Sequence, residues 1–435
     1  MIGVGVYTTS GFAIAALGSP ARVVGAWVIG GVIAICGAIG YASLASRFVE
    51  SGGEYLFLAR SLHPVAGMMA GWVSLLAGFT GAIAAAAIGL EEYLRPLFAS
   101  ELSWLMPKSI AIVAVIGAAT IHAVGVRQAA RTQDVIVLLK IVLIAGFIIY
   151  AATSFADRIP GSAPTPQVQE DPASSPLSVL ALANQLVWIS LSYAGFNAAV
   201  YLSSEIQDAR RNVPRAMIGG TVLVTIIYVI LNAIFVYATP SADIAGQPQV
   251  ATLAAESIGG SIFAKFVGGV IVLSLMTSVS ALVMTGPRVY AKMADDGLLP
   301  AWFRFAGRPP TQAIFFQAAF AILVILASSL KELIGYLGLT LSVCSALTVA
   351  MVFVLRWRGD LTRLPLGGIP ALAYVAATML IAVLSAIQQP VQAMTAGATL
   401  ALGFLMFPLM RRRYARTARS SSDFEADDHR ANTIR

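Results

Sequence analysis

Twelve runs of apolar residues divide this chain, at about 2–17, 23–45, 64–90, 109–124, 134–153, 176–206, 214–238, 258–290, 310–330, 333–355, 369–387 and 391–410. Most are near the ~20 residues that a helix needs to cross a bilayer. Such a chain has one route to a fold. Lipid offers backbone groups no hydrogen-bond partners, so each run must close its own bonds as a helix. The composition bears this out, with 58% hydrophobic and 11% charged residues, against about 25% charged in a soluble domain. Its 38 glycines suit close helix approach. The expected fold class is an all-α polytopic membrane protein with 12 transmembrane helices.

Lysine and arginine orient the bundle. If the first helix runs outward, 21 of the 28 basic residues fall on one side: Arg47 and Arg60, Arg127 and Arg131, Arg210, Arg211 and Arg215, Arg288 to Arg308, Arg356 to Arg363, and the tail from Arg411. The other side holds Arg22, Arg95, Lys108, Arg158, Lys265 and Lys331. Positive residues stay inside, which predicts a multi-pass protein of the cell (inner) membrane with a cytoplasmic C-terminus. The net charge of +7 then matches the anionic cytoplasmic leaflet, and no nucleic-acid partner is expected. The segment 155–175, rich in Pro and Ser, is expected to be an external loop. The mixed-charge tail 411–435 is expected to be a polar extension whose arginines touch lipid headgroups.

Two apolar runs carry interruptions. In the sixth, Tyr193-Ala-Gly-Phe-Asn197 puts Gly195 and Asn197 at bilayer depth, and the run of 31 residues exceeds a single span. In the first, Ile2-Gly3-Val4-Gly5-Val6 places two glycines two residues apart; taken alone, those glycines equally suit helix packing. The two runs lie five helices apart. Discontinuous helices at corresponding positions of two halves mark the substrate site of inverted-repeat transporters. Metal and nucleophilic chemistry have little to work with. There are three histidines and two cysteines, Cys36 and Cys344, both inside apolar runs, with no paired CxxC, HExxH or GxSxG.

These motifs resemble the amino acid–polyamine–organocation (APC) permeases. The pattern Ile2-Gly3-Val4-Gly5-Val6 is similar to the family's first helix. Arg47-Phe-Val-Glu-Ser-Gly-Gly-Glu-Tyr55 is similar to its loop after helix 2. Tyr193 to Asn197, through Glu205 to Arg210-Arg-Asn-Val-Pro-Arg215, is similar to its sixth helix and cytoplasmic exit. Val49, Ser204 and Ala209 depart from the usual residues without removing a proposed substrate contact. The family also has about a dozen apolar residues before the Gly-x-Gly, so the first helix is expected to be N-terminally truncated here. The resemblance implies a LeuT-type 5+5 inverted repeat with two additional C-terminal helices. Residues 1–153 would form the first repeat, 154–175 an outer loop, 176–355 the second repeat, 356–410 helices 11–12 and 411–435 the tail.

An amino acid brings a carboxylate and an ammonium, and both must be desolvated. Free N–H groups at the positive end of a half-helix suit the carboxylate, and Gly3, Val4 and Gly5 would offer them. Free carbonyls suit the ammonium, from Ile2 in the first helix and Leu191, Ser192 and Ala194 in the sixth. Phe196 would add an apolar wall. Asn197 either hydrogen-bonds the substrate or braces the unwound loop. Gly78, Ala82 and Ala85 share a face of the third helix, leaving room for a side chain or for close packing. Lys140 is read as the only basic residue deep in the bundle, where an ammonium should face a cavity or a partner. By resemblance it occupies the place of a sodium ion in sodium-coupled relatives, bridging helices 1 and 8. It is either a coupling residue or a fixed structural cation. Glu205 is expected to be a solvated or loop-bracing acid.

The expected function is secondary active transport of amino acids by alternating access, with neutral cargo because no acid falls among the candidate pocket positions. Coupling would be to protons, or transport would be sodium-independent exchange. The expected partners are a small amino acid, the lipid bilayer and protons. Neither a cofactor nor an enzymatic activity is expected. The alternatives are a polyamine or cationic amino acid carrier and a non-transporting amino acid sensor. A channel would need a filter motif such as TVGYG, which the sequence lacks.

Overall fold

A computed structural model describes residues 2–98, 104–124, 129–156, 178–304, 311–361 and 364–410. Most of the segment 155–175 and all of the tail 411–435 lie outside them. The described residues are helical, with no strand among them. In chain order the helices are α1 (Val4–Leu17), α2 (Pro20–Arg47), α3 (Gly53–Ser61), α4 (Pro64–Leu97), α5 (Ser109–Val124), α6 (Ala129–Ala156), α7 (Val179–Tyr193), α8 (Ala209–Ala238), α9 (Val250–Asp295), α10 (Thr311–Ala327), α11 (Leu330–Trp357), α12 (Ile369–Gln388) and α13 (Pro390–Met410). Among the described residues, nine helical stretches are long and apolar enough to cross a membrane. Three more, α1, α5 and α10, are apolar but shorter, at 14, 16 and 17 residues.

Local signals set the ends. Pro20 and Pro64 stand in the first turns of α2 and α4, where their missing N–H costs nothing. Ser329 and Glu332 cap the start of α11 reciprocally. Gly18 closes α1 in the left-handed region (φ 69°). Within α9 the helix breaks at Gly260, whose φ of 76° is open to glycine at no steric cost. The break sets 250–259 apart from the rest of α9, which carries the eighth apolar run.

Four pairs of helices separated by five apolar runs pack against each other: α1 on α7, α2 on α8, α4 on α9 and α5 on α10. The peripheral α12 lies against α2, α7 and α11. Between the second and third runs, α3 buries Glu54, Tyr55, Leu56, Phe57 and Leu58. That segment enters the bundle instead of lying in the aqueous loop its charges suggested.

The sixth run is interrupted where the sequence put it, in a form the sequence did not show, while the first described helix begins among the paired glycines. Gly3 is extended (φ −137°, ψ −162°) and α1 begins at Val4 with no side chain capping its first turn. α7 ends at Tyr193, and the chain continues as a 3₁₀ helix, Ala194–Tyr201. The segment is thus tightened, not fully unwound, and i→i+3 bonds satisfy part of its backbone. A third irregularity was not anticipated. Ser74–Gly81, within α4, winds as a π-helix. Such insertions are frequent at functional sites.

Candidate functional site: a cavity between two half-helix ends

The start of α1 and the end of α7 face one cavity of about 360 Å³. Every candidate from the sequence lines it: Ile2, Gly3, Val4, Gly5, Gly78, Ala82, Leu191, Ser192, Ala194, Phe196, Asn197 and Lys140. Ala85 lies on the same wall. The π turn in α4 alters the helical phase between Gly78 and Ala82, yet both reach the cavity. Nothing lies closer than 3.7 Å to where a Gly78 Cβ would stand, so that position borders free space.

The α1 side is built around one carbonyl. Ile2 O accepts from Lys140 Nζ at 3.3 Å, from Ser278 Oγ at 3.4 Å and from Ser274 Oγ at 3.5 Å. Lys140, on α6, is 7% exposed. It reaches the first helix as the resemblance implied, and α9 meets it there through its two serines. The N–H groups of the first α1 turn remain without a side-chain cap. Gly5 is required by its neighbour. A Cβ there would overlap Ser192 Oγ and stand 3.0 Å from Ser192 Cβ. α1 and α7 therefore cross in contact, and this glycine serves their packing as well as facing the cavity.

The α7 side presents carbonyls. Leu191 O accepts from the Ala194 N–H, and Ser192 O accepts from Tyr228 Oη at 3.2 Å. Beyond them the 3₁₀ segment is held by an acid. Glu54 Oε1 accepts from Tyr41 Oη at 2.9 Å and from Asn197 Nδ2. Glu54 Oε2 accepts from Tyr201 Oη at 2.6 Å. Asn197 also donates to Tyr201 Oη at 3.3 Å. Of its two sequence readings, the brace is the one with a partner in place.

Glu54 lines the cavity and is 5% exposed, which corrects the expectation that the pocket holds no acid. Sequence reasoning missed it because hydropathy assigned 47–60 to an aqueous loop. The apolar run Tyr55-Leu-Phe-Leu58 directly after it was the available signal. Tyr201, Ser342, Ser345, Tyr374, Thr277 and Ser278 also line the cavity and were not singled out.

Past the 3₁₀ segment, ion pairs gather. Glu205 pairs with Arg288 at 2.8 Å, and Glu50 with Lys292 at 2.8 Å. Tyr55 Oη donates to Asp296 at 2.5 Å, and Ser51 and Ser204 hydroxyls meet at 2.6 Å. Partial burial pushes the Glu50 carboxyl up, but the Lys292 hydrogen bond and charge, with Arg60, outweigh it and leave it below the usual carboxylate range. Glu205, expected to be solvated or loop-bracing, ties the end of the 3₁₀ region to α9.

A cavity flanked by a helix start and a helix end, in a bundle of apolar helices, has the chemistry to hold a small zwitterion. Comparison with known proteins agrees. The model of the amino acid permease family matches residues 1–410. The chain belongs to the amino acid permease family. Among this permease's relatives are the large neutral amino acids transporter small subunit 2 of Mus musculus, 26% identical over 371 residues, covering 82% of this chain and 68% of the relative. Another is the serine/threonine exchanger SteT of Bacillus subtilis (strain 168), 26% identical over 366 residues, covering 82% of this chain and 80% of the relative. A third is the b(0,+)-type amino acid transporter 1 of Mus musculus, 25% identical over 348 residues, covering 78% and 69%. These relatives are transporters and not enzymes, and the permease is a multi-pass membrane protein of the same family.

Proposed function

We propose that this permease is a secondary active transporter of neutral amino acids that works by alternating access. The observation that carries this reading is the meeting, at one cavity, of an uncapped helix start with a helix end. The α-carboxylate would lie on the N–H groups of Gly3, Val4 and Gly5, favoured by the positive end of α1. The α-ammonium would lie on the carbonyl oxygens of Leu191, Ser192 and Ala194. Ile2 O, already surrounded by three donors, is less suited to the ammonium than the α7 carbonyls. Phe196, Gly78, Ala82 and Ala85 would shape the space for the side chain.

The packing of α1 on α7, α2 on α8, α4 on α9 and α5 on α10 supports a 5+5 inverted repeat, since a pseudo-two-fold brings equivalent helices together. The twelve-helix count then includes the short α1, α5 and α10, with residues 1–153 and 176–355 as the repeats, 356–410 as two additional helices, and 154–175 and 411–435 as outer loop and tail. A cytoplasmic C-terminus at the cell membrane follows from the basic bias. A reporter fused after Arg416 reading external would overturn it. For coupling, the ammonium of Lys140 on Ile2 O favours protons or sodium-independent exchange.

Glu54 gives the cation-carrier alternative its one specific support, because a cavity acid suits a second positive charge. Its oxygens are occupied by Tyr41, Asn197 and Tyr201, so an arriving cation would have to displace them. The test is a proteoliposome panel of labelled leucine, phenylalanine, serine, arginine and putrescine, with and without proton and sodium gradients and with internal amino acid present or absent. Uptake of the neutral set, competed by neutral amino acids, is expected. Movement of arginine or putrescine alone would replace this reading with the cation carrier, and binding without movement of label would replace it with a sensor.

A further inference from the structure

The helices numbered outside the repeat have no assigned part in the site, yet one of them reaches it. Tyr374, on α12, lines the cavity and is 5% exposed. Its ring passes over α2 at Gly37. A Cβ on Gly37 would stand 2.5 Å from Tyr374 Cε2 and 2.8 Å from Cδ2, so the glycine is the notch through which the tyrosine enters. At the far end Tyr374 Oη shares a hydrogen with Ser345 Oγ of α11 at 2.7 Å. The ring edge meets Phe196 of the 3₁₀ segment at 6.2 Å between centroids and 85° between planes. Phe196 in turn stands edge-to-face on Tyr41 at 5.2 Å and 85°, and Tyr41 donates to Glu54.

Phe196 is therefore clasped between two aromatic rings of different origin. Tyr41 belongs to the repeat and is tied to the acid that braces Asn197 and Tyr201. Tyr374 comes from the periphery and is tied to α11.

We propose that Tyr374 is a positioning residue that fixes the Phe196 ring and thereby sets the largest side chain the cavity accepts, with Gly37 as the notch that admits it. This rests on the reading of the cavity as the site for neutral amino acids. The physical basis is that an edge-to-face pair confers a preferred orientation beyond simple burial. Deleting one partner frees the other to move in a site where cargo volume matters.

The experiment measures KM and kcat for alanine, leucine, phenylalanine and tryptophan in proteoliposomes, for the wild type, Tyr374→Ala, Tyr374→Phe, Gly37→Ala and the double variant Gly37→Ala with Tyr374→Ala. Tyr374→Ala should change the ratio of KM for tryptophan to KM for alanine by roughly threefold to tenfold, the range expected from one aromatic pair. Tyr374→Phe keeps the ring and should leave that ratio within about twofold of wild type, which separates the ring from its hydroxyl. Gly37→Ala should also move the ratio, but should have no effect once Tyr374 is alanine, because the added methyl then meets no ring; contacting residues are coupled and not additive. Should Tyr374→Ala fail to insert, Tyr374→Leu takes its place with the same readout. Equal factors on every cargo, a change confined to kcat, or additive effects of Gly37→Ala and Tyr374→Ala would each overturn the proposal. Failure of wild type to take up any neutral amino acid would instead overturn the functional reading beneath it.

Discussion

The start of α1 and the broken end of α7 meet the same cavity but are held in opposite ways. At the start of α1, three donors from α6 and α9 converge on a single backbone oxygen, that of Ile2. At the end of α7, three donors from α2 and the 3₁₀ segment converge on a single side chain, the carboxylate of Glu54. One end is organised by a buried lysine and hydroxyls, the other by a buried acid. Irregular backbone inside a membrane needs polar partners from nearby helices. At Ile2 those partners meet the backbone oxygen itself, whereas at the 3₁₀ segment they meet its side chains, Asn197 and Tyr201.

The comparison is broken most severely by removing the cation. Lys140→Met keeps an apolar stem but removes the ammonium from Ile2 O. Transport in proteoliposomes should fall on the order of 100-fold, a loss of about 2.7 kcal/mol, with insertion unchanged by surface labelling and monodispersity. Wild-type rates in a well-inserted Lys140→Met protein would show that the start of α1 needs only its serines.

Removing the anion should act first on stability. Glu54→Ala strands Tyr41, Asn197 and Tyr201, and each buried donor left without an acceptor costs about 1–3 kcal/mol. Thermal unfolding in detergent should show a clear loss, with Glu54→Gln intermediate because an amide oxygen still accepts. Equal stability of Glu54→Ala and wild type would mean the 3₁₀ segment is held by its own i→i+3 bonds.

The crossing of the two halves is tested by Gly5→Ala. Its methyl meets Ser192, and overpacking of this kind costs about 1–3 kcal/mol. Activity should fall and be partly restored by adding Ser192→Gly. No rescue would mean that Gly5 acts through the cavity and not through α7.

The smallest effect is expected at Gly78, where the comparison is sharpened, not broken. Gly78→Ala should change uptake by no more than about 0.5 kcal/mol, since nothing lies within 3.7 Å of the new carbon. Gly78→Leu should project into the cavity and penalise phenylalanine and tryptophan more than alanine in competition assays. An equal penalty for all cargo would assign that face to helix packing.

Most of the wall was legible in the sequence because glycine pairs and an asparagine at bilayer depth are costly, so their presence signals a cavity. The residues that were not legible share one cause. Glu54, Tyr201 and Tyr374 owe their position to contacts between residues far apart in sequence, such as the 147 positions between Tyr201 and Glu54, and hydropathy has no term for such contacts. Glu54 lay in a stretch that charge alone placed in water, and Tyr374 lay in a run that looked like any other span.

The sequence by itself determined that the chain must form apolar helices and that the sixth apolar run breaks near Asn197. These follow from local composition, because a bilayer penalises each unsatisfied backbone group and each misplaced charge residue by residue. Only the tertiary structure decided that this break tightens into a 3₁₀ helix, that an acid from α3 braces it, that α4 winds a π turn beside it, and that α12 reaches past Gly37 to the cavity. Those outcomes depend on which helix faces which, and it is packing between distant segments that fixes where each polar group finds its partner.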